Sequence, residues 1–183
     1  MSKLDRQRWI DAAFDALCEA GETQVRINSL CATLGVTKGS FYWHFDSHDA
    51  LLQALLERWE LSGTDAIIDE LDESGKSAAQ RLRMLVRAAF AESSRGDRIE
   101  SAIRAWASHD QRAAASVARV DERRVAYVRE LLRAAGVGAA AAGHRSALLY
   151  RTLIGDSTWR SHGGSGLSPA ALQQLVRMLL HDV

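Results

Sequence analysis

The chain has 183 residues, 47% of them hydrophobic and 25% charged, an ordinary globular composition that excludes a disordered or collagen-like chain. At about 150 residues per domain it makes one domain, or two small ones sharing a core. Lys plus Arg equals Asp plus Glu at 23 each, so no global field steers the molecule toward nucleic acid or anionic lipid, and any such binding has to come from a local patch.

Alanine and leucine together number 52 against 23 for valine, isoleucine and threonine, with a single proline. That balance predicts an all-α fold. The longest uncharged apolar-rich run, Ala134 to Gly143, holds ten residues including three glycines, too short for a membrane span. The start, MSKLDRQRW, carries both signs of charge and no apolar leader, so residence in the cytoplasm is expected. Cys18 and Cys31 cannot build a disulfide framework or a four-ligand zinc site and are expected to be reduced core residues.

From Asp5 to Ala20, Trp9, Ile10, Ala13, Phe14 and Leu17 recur at helical spacing, with Gly21 placed to cap the end. Ile27, Leu30, Cys31 and Leu34 form a second stripe stopped by Gly35, and Thr37 is able to cap a third helix. Asp46 or Ser47 can cap a fourth, with the stripe Leu51, Leu52, Leu55, Leu56 and Trp59. Gly63 either interrupts that helix or lies within its continuation through Ile67, Ile68 and Leu71, before a loop from Asp72 to Lys76. Leu82, Leu85, Val86, Ala89 and Phe90 mark the next helix. Another, with Ile99, Ala102, Ile103 and Trp106, is opened by Asp97 with Glu100 as a capping box. Asp110 starts a long helix through Leu132 that ends at Gly136; Ala139 to His162 follows, stopped by Gly163 and Gly164. Ser168-Pro169 is a strong start signal for a last helix bearing Leu172, Leu175, Val176, Leu179 and Leu180. The count is about nine helices. A helix-turn-helix unit over residues 1–46 precedes a larger helical body over residues 47–183.

Three short helices with a tight turn between the second and third are what a major-groove reader needs. Stepping 100° per residue from Thr37 puts Ser40, Phe41 and His44 on an inward side and Lys38, Gly39, Tyr42 and Trp43 on the other. Two large aromatics, a cation and a glycine make a poor surface for water and a good one for DNA. Thr37, the free amides of the helix start and the Tyr42 hydroxyl suit phosphates, and Lys38 suits a base edge or a phosphate.

The segment Val36-Thr37-Lys38-Gly39-Ser40-Phe41-Tyr42-Trp43-His44-Phe45, followed by Ala50-Leu51-Leu52, resembles the recognition-helix signature of the TetR family of transcriptional regulators. The likeness covers about residues 6 to 56. It implies a homodimeric regulator, most simply a repressor, that reads a palindromic operator on double-stranded DNA, with the last two helices pairing subunits and a helical body answering an unknown small-molecule effector. It also implies DNA contacts from Thr37, Lys38, Gly39, Ser40, Tyr42, Trp43 and His44, with Asn28 as a base reader. Where the family usually opens its second helix with a capping threonine, this chain has Val25-Arg26, and Arg26 is left to contact phosphate directly. His48 stands where a lysine often binds the backbone, which implies a weaker or pH-dependent contact. Residues 1–48 hold five Lys or Arg against six Asp or Glu, so Lys3, Arg6, Arg8, Arg26 and Lys38 have to gather on one face, with Asp11, Asp15 and Glu19 turned away.

Bland alternatives accompany these readings. His44 and His48 stand four apart like a metal pair, but no third ligand is near in sequence, so neither a metal nor a cofactor is expected. The glycines from Gly138 to Gly143 lack the Lys-Ser/Thr ending of a phosphate loop, and His162-Gly163-Gly164-Ser165-Gly166 departs from a nucleophile elbow at Leu167 and reads as a flexible loop. An enzyme built on the histidines and Asp110 or Asp156 lacks a nucleophile, metal or cofactor fingerprint, and no catalytic residue is assigned. A regulator with a collapsed, ligand-free body is a third reading. In the body, Phe90, Trp106, His109, Tyr127, Tyr150 and Trp159 have the composition of a small-molecule pocket, or of plain core. Leu149, Leu153, Leu172, Leu175, Val176, Leu179 and Leu180 suit either a subunit interface or intrachain packing.

Overall fold

A computed structural model describes residues 5–91 and 94–181, and every regular element among them is helical. The α-helices are α1 (Arg6–Ala20), α2 (Ile27–Leu34), α3 (Lys38–Tyr42), α4 (His48–Glu60), α5 (Ala66–Glu73), α6 (Ala78–Ala89), α7 (Ser94–Ala107), α8 (Gln111–Ala134), α9 (Ala139–Ser161) and α10 (Pro169–Leu179). The chain divides into two compact units, Met1–Leu61 with Arg98–Val117 and Ser62–Asp97 with Ala118–Val183. No described helix is long and apolar enough to cross a membrane.

In the first unit α1 packs on α2 and α4, and α2 packs on α3. Its stripe is buried as its spacing requires, with Trp9, Ile10, Ala13, Phe14 and Leu17 in the core. The Asp5 carboxylate accepts from the Arg8 amide at 2.9 Å and opens the helix. Gly35 closes α2 at φ 67°, ψ 36°, in the left-handed region that a side chain seldom adopts, and so lets α3 turn away within a few residues. Ser47, rather than Asp46, caps α4 by accepting from the Ala50 amide. Cys31 is buried, Cys18 is half-buried, and both are free thiols. Asp110 caps α8 as its position demands, accepting from the amides of Arg112 (2.8 Å) and Ala113 (3.1 Å). The Arg112 guanidinium spans from Asp110 (3.0 Å) to Asp49 in the first turn of α4 (2.9 Å). Its hydrogen bond holds the Asp110 carboxyl down at about 2.

The second unit is built around Leu82, Val86 and Phe90 of the α6 region, Val128, Leu131 and Leu132 of α8, Leu149 of α9, and Val176 and Leu179 of α10. Ser77 and Gln80 form a complete capping box at the start of α6. Gly63 does not break the chain of helices: residues Leu61–Asp65 form a π-helical turn between α4 and α5. Such a wide turn displaces backbone groups from the regular ladder. Here Arg124 of α8 donates to the Gly63 carbonyl at 3.0 Å and to the Thr64 hydroxyl at 2.9 Å. Tyr150 of α9 completes the cluster by donating to Asp121 at 2.6 Å.

Two local expectations need correction. Asp97 opens no capping box, because α7 begins at Ser94 and the Asp97 carboxylate is drawn instead to Arg160 (3.0 Å) and Ser157 (3.1 Å) of α9. Arg160 is only 6% exposed; it also pairs with Asp156 and donates to the carbonyls of Phe90 and Ala91. The loop after α5 begins at Ser74 rather than Asp72, whose carboxylate accepts from Tyr127 at 2.7 Å and pairs with Arg81. The loop expected after α9 runs over residues 162–168; in it the Leu167 amide donates to Asp156, and the Trp159 indole fills the space where a side chain at Gly164 would sit.

Candidate nucleic-acid interface

A five-residue helix forms too few internal hydrogen bonds to persist alone. α3 is instead fixed by one ring: Phe41, fully buried, meets Trp9 edge-on at 5.3 Å and stacks on Phe45 at 5.4 Å. The Arg6 guanidinium covers the Phe45 ring at 5.0 Å. With Phe41 and Phe45 pointing in, the 100° step turns the next positions out. Tyr42 is 56% and Trp43 88% exposed, Lys38 and Gly39 are exposed, and Ser40 and His44 are half-buried. This is the inward and outward division that the sequence predicts.

Thr37 occupies the cap position of α3, but its side chain makes no capping hydrogen bond. A Cβ built on Gly39 would meet only the Thr37 hydroxyl, at an ordinary 3.6 Å. The chain's own packing therefore does not require glycine there. What the missing side chain leaves open is the approach of something from outside.

Beside α3 lies an open groove of about 310 Å³ lined by Arg26, Ile27, Asn28, Lys38, Tyr42 and His48. Two cations, an amide, a phenol and an imidazole face it without a carboxylate, so a neutral chain has assembled a local surface suited to an anion. Of the cations expected on one face, Arg26 and Lys38 meet here, Arg6 sits over Phe45, and Lys3 lies outside the described residues. Arg26 takes the cap position of α2 without capping it; its Nε donates back to the Thr23 carbonyl at 2.8 Å. His48, read from sequence as a backbone contact, donates from Nε2 to the Val25 carbonyl. Nothing in the local sequence pattern signalled that bond, because its partners are 23 residues apart. Among the described residues no group of three or more His, Cys, Asp or Glu is placed to hold a metal.

The six aromatic and histidine residues grouped as a pocket do not share one unit. Trp106, buried, and His109, exposed and 4.0 Å from Glu22, belong to the first unit. In the second unit Phe90 is core with Tyr127 packed against it, Tyr150 is buried, and Trp159 is exposed. Burial and the hydrogen bond to Asp72 raise the Tyr127 phenol to about 12. Of the apolar residues read as interface or core, Leu149, Val176 and Leu179 are buried within the chain, with Leu153, Leu172, Leu175 and Leu180 packed on them. The exposed large side chains on the same helices are Leu148, Trp159 and Met178.

Comparison with known proteins places the resemblance on the same residues. Residues 10–55 match the family model for bacterial regulatory proteins, tetR family. The chain is 38% identical over 55 residues to an uncharacterized HTH-type transcriptional regulator, TtgW, of Pseudomonas putida, covering 30% of this chain and 41% of that protein. It is 42% identical over 57 residues to the class A tetracycline repressor protein from transposon 1721 of Escherichia coli, covering 31% and 26%. The matched stretch thus spans well under half the length of these curated relatives. A regulator from Saccharomonospora viridis in complex with choline superposes with a TM-score of 0.79 over 97% of this chain and 96% of that one, at 19% identity. At that identity the likeness is one of fold.

Proposed function

Through its amino-terminal domain the chain belongs to the tetR family of bacterial regulatory proteins, and on that footing we propose that it is a ligand-responsive transcriptional repressor that binds a palindromic operator as a homodimer. The observation that carries this reading is α3. A short helix anchored by Phe41 displays Tyr42 and Trp43 to solvent, with Lys38, Arg26 and Asn28 on the adjoining carboxylate-free groove. In this reading residues 1–46 enter the DNA and residues 47–183 carry effector binding and dimerisation.

Within that proposal Thr37 and the α3 amides hold a phosphate, Gly39 allows the backbone close to the duplex, and Ser40, Tyr42, Trp43 and His44 complete the contact with Lys38. Arg26 and Asn28 read or clamp the adjacent groove edge. The apolar surface for a second copy is the exposed stripe Leu148, Gly155 and Trp159 on α9 with Met178 on α10. Leu148 and Trp159 are 11 residues apart, about three helical turns, and so share a face. Two recognition helices about one DNA turn apart then engage two half-sites. An effector that favours another dimer geometry releases the operator by population shift.

Fluorescence anisotropy on a duplex selected by the protein from a random-sequence library tests this. Binding has to fall steeply with salt, and Tyr42→Ala and Lys38→Ala have to weaken it. Unchanged binding in both variants would show that the contact surface lies elsewhere.

A further inference from the structure

We propose that His48 governs the sequence selectivity of the DNA-binding groove without touching DNA: its imidazole holds the start of α2 so that Arg26 and Asn28 stand in reading position. The inference rests on the DNA-binding reading above. Its starting point is the missing cap of α2. Arg26 fills the cap position and makes no side-chain cap, so the helix start needs another anchor. Val25, just before it, sits at φ −73°, ψ 73°, with the Arg26 amide donating to the Gln24 carbonyl at 2.7 Å, the geometry of an inverse γ-turn. That bond and the one from Arg26 Nε to Thr23 both close within four residues. Neither ties the turn to the rest of the unit.

Two features do. The Val25 side chain is buried, but apolar burial is non-directional and sets depth rather than rotation. The hydrogen bond from His48 Nε2 to the Val25 carbonyl is directional and crosses 23 residues. His48 is itself the first residue of α4, behind the Ser47 cap and ahead of the buried pair Leu51 and Leu52. The rigid helix thereby orients the turn, and the turn orients Arg26 and Asn28 along the groove that His48 also lines. A carbonyl only accepts, so Nε2 carries the proton. The Nε2 proton held by the Val25 carbonyl is thereby unavailable to a phosphate oxygen.

The test compares the wild type with His48→Leu, His48→Gln, Arg26→Ala and the double variant that combines His48→Leu with Arg26→Ala, on the selected duplex and on a scrambled duplex of equal length across a salt series. The brace predicts that His48→Leu lowers affinity for the selected duplex about tenfold, the scale of one lost base contact, while affinity for scrambled DNA falls less and the salt slope changes by less than the roughly one unit of a lost phosphate contact. His48→Gln, an amide donor of similar reach, restores most of the preference. Arg26→Ala costs little further once His48 is gone, the signature of coupled residues. Should His48→Leu not fold by thermal melting, His48→Asn, whose donor falls short of the Val25 carbonyl, replaces it. Equal losses on both duplexes with a shallower salt slope would make His48 a phosphate contact and overturn the proposal. So would an unchanged preference or additive costs. A wild type that selects no duplex, with Trp43→Ala changing nothing, would instead bring down the DNA-binding reading itself.

Discussion

Two of the places where described residues leave large apolar side chains in water do so in different company. At α3, Tyr42 and Trp43 stand beside Lys38 and a groove bearing Arg26 and Asn28. On the 23-residue α9, Leu148 and Trp159 share a face with the exposed Gly155, and Met178 is exposed on the shorter α10. Exposed apolar area of either kind points to a partner. The neighbouring charges sort the partners: cations around rings suit a polyanion, whereas an apolar stripe with a small residue at its centre suits the same stripe on a second copy.

Changes at the second place should have the larger effect on operator binding. Leu148→Glu with Met178→Glu sets like charges face to face across a two-fold interface. Sedimentation should then show monomer, and losing the second half-site should cost about 10² to 10⁴ in apparent affinity. Binding that stayed dimeric would move the interface off this stripe. Next in size is Trp43→Ala, expected to weaken operator binding by about ten- to a hundredfold. Because that ring is almost entirely exposed, the melting temperature should hold within about 1 °C. A substantial drop in melting temperature would give the ring a role in the fold instead. Lys38→Ala is smaller. If Lys38 meets phosphate, the salt slope falls by about one and all duplexes weaken alike; if it meets a base, the preference for the selected duplex falls.

The smallest effects come from protons and separate the two units at opposite ends of the pH scale. In the first unit the Arg112 hydrogen bond lowers Asp110 to about 2. Its contribution is therefore fully present above its ordinary value of 3.8 and lost as pH falls through about 2. Asp110→Asn should flatten the acid limb of stability measured by urea unfolding over that window. In the second unit burial raises Tyr127 to about 12, so its contribution is present below pH 10 and lost as pH rises through about 12. Ultraviolet titration should find late tyrosine ionisation, and Tyr127→Phe should remove the part of it that belongs to Tyr127. A Tyr127 that ionised near the ordinary 10.0 would not be donating to Asp72.

Much of the helical frame was legible in the chain because its signals are local. Asp5, Gly35, Asp110, Gly163 and Ser168-Pro169 act on backbone groups within one turn, and each stops or starts a helix where its spacing says. The outward set on α3 was legible for the same reason, since a single 100° step from the anchor Phe41 assigns each neighbour a side. Asp97 misled because the signal for a cap is the same residue type that an arginine 63 positions away can claim. The pocket grouping rests on composition, which says which residues suit a ligand and not where the fold puts them.

The amino-acid order alone settled that this protein is helical, where most of its helices begin and end, and which side of α3 faces out. All of these follow from contacts between residues a few positions apart. Only the tertiary structure decided that the π-turn at Gly63 is held by Arg124, that Leu149, Val176 and Leu179 are buried in this chain's own core, and that His48 turns to Val25. Those outcomes depend on which distant donor reaches a given acceptor, or which distant side chain fills a given space, and that is settled only when the helices have packed.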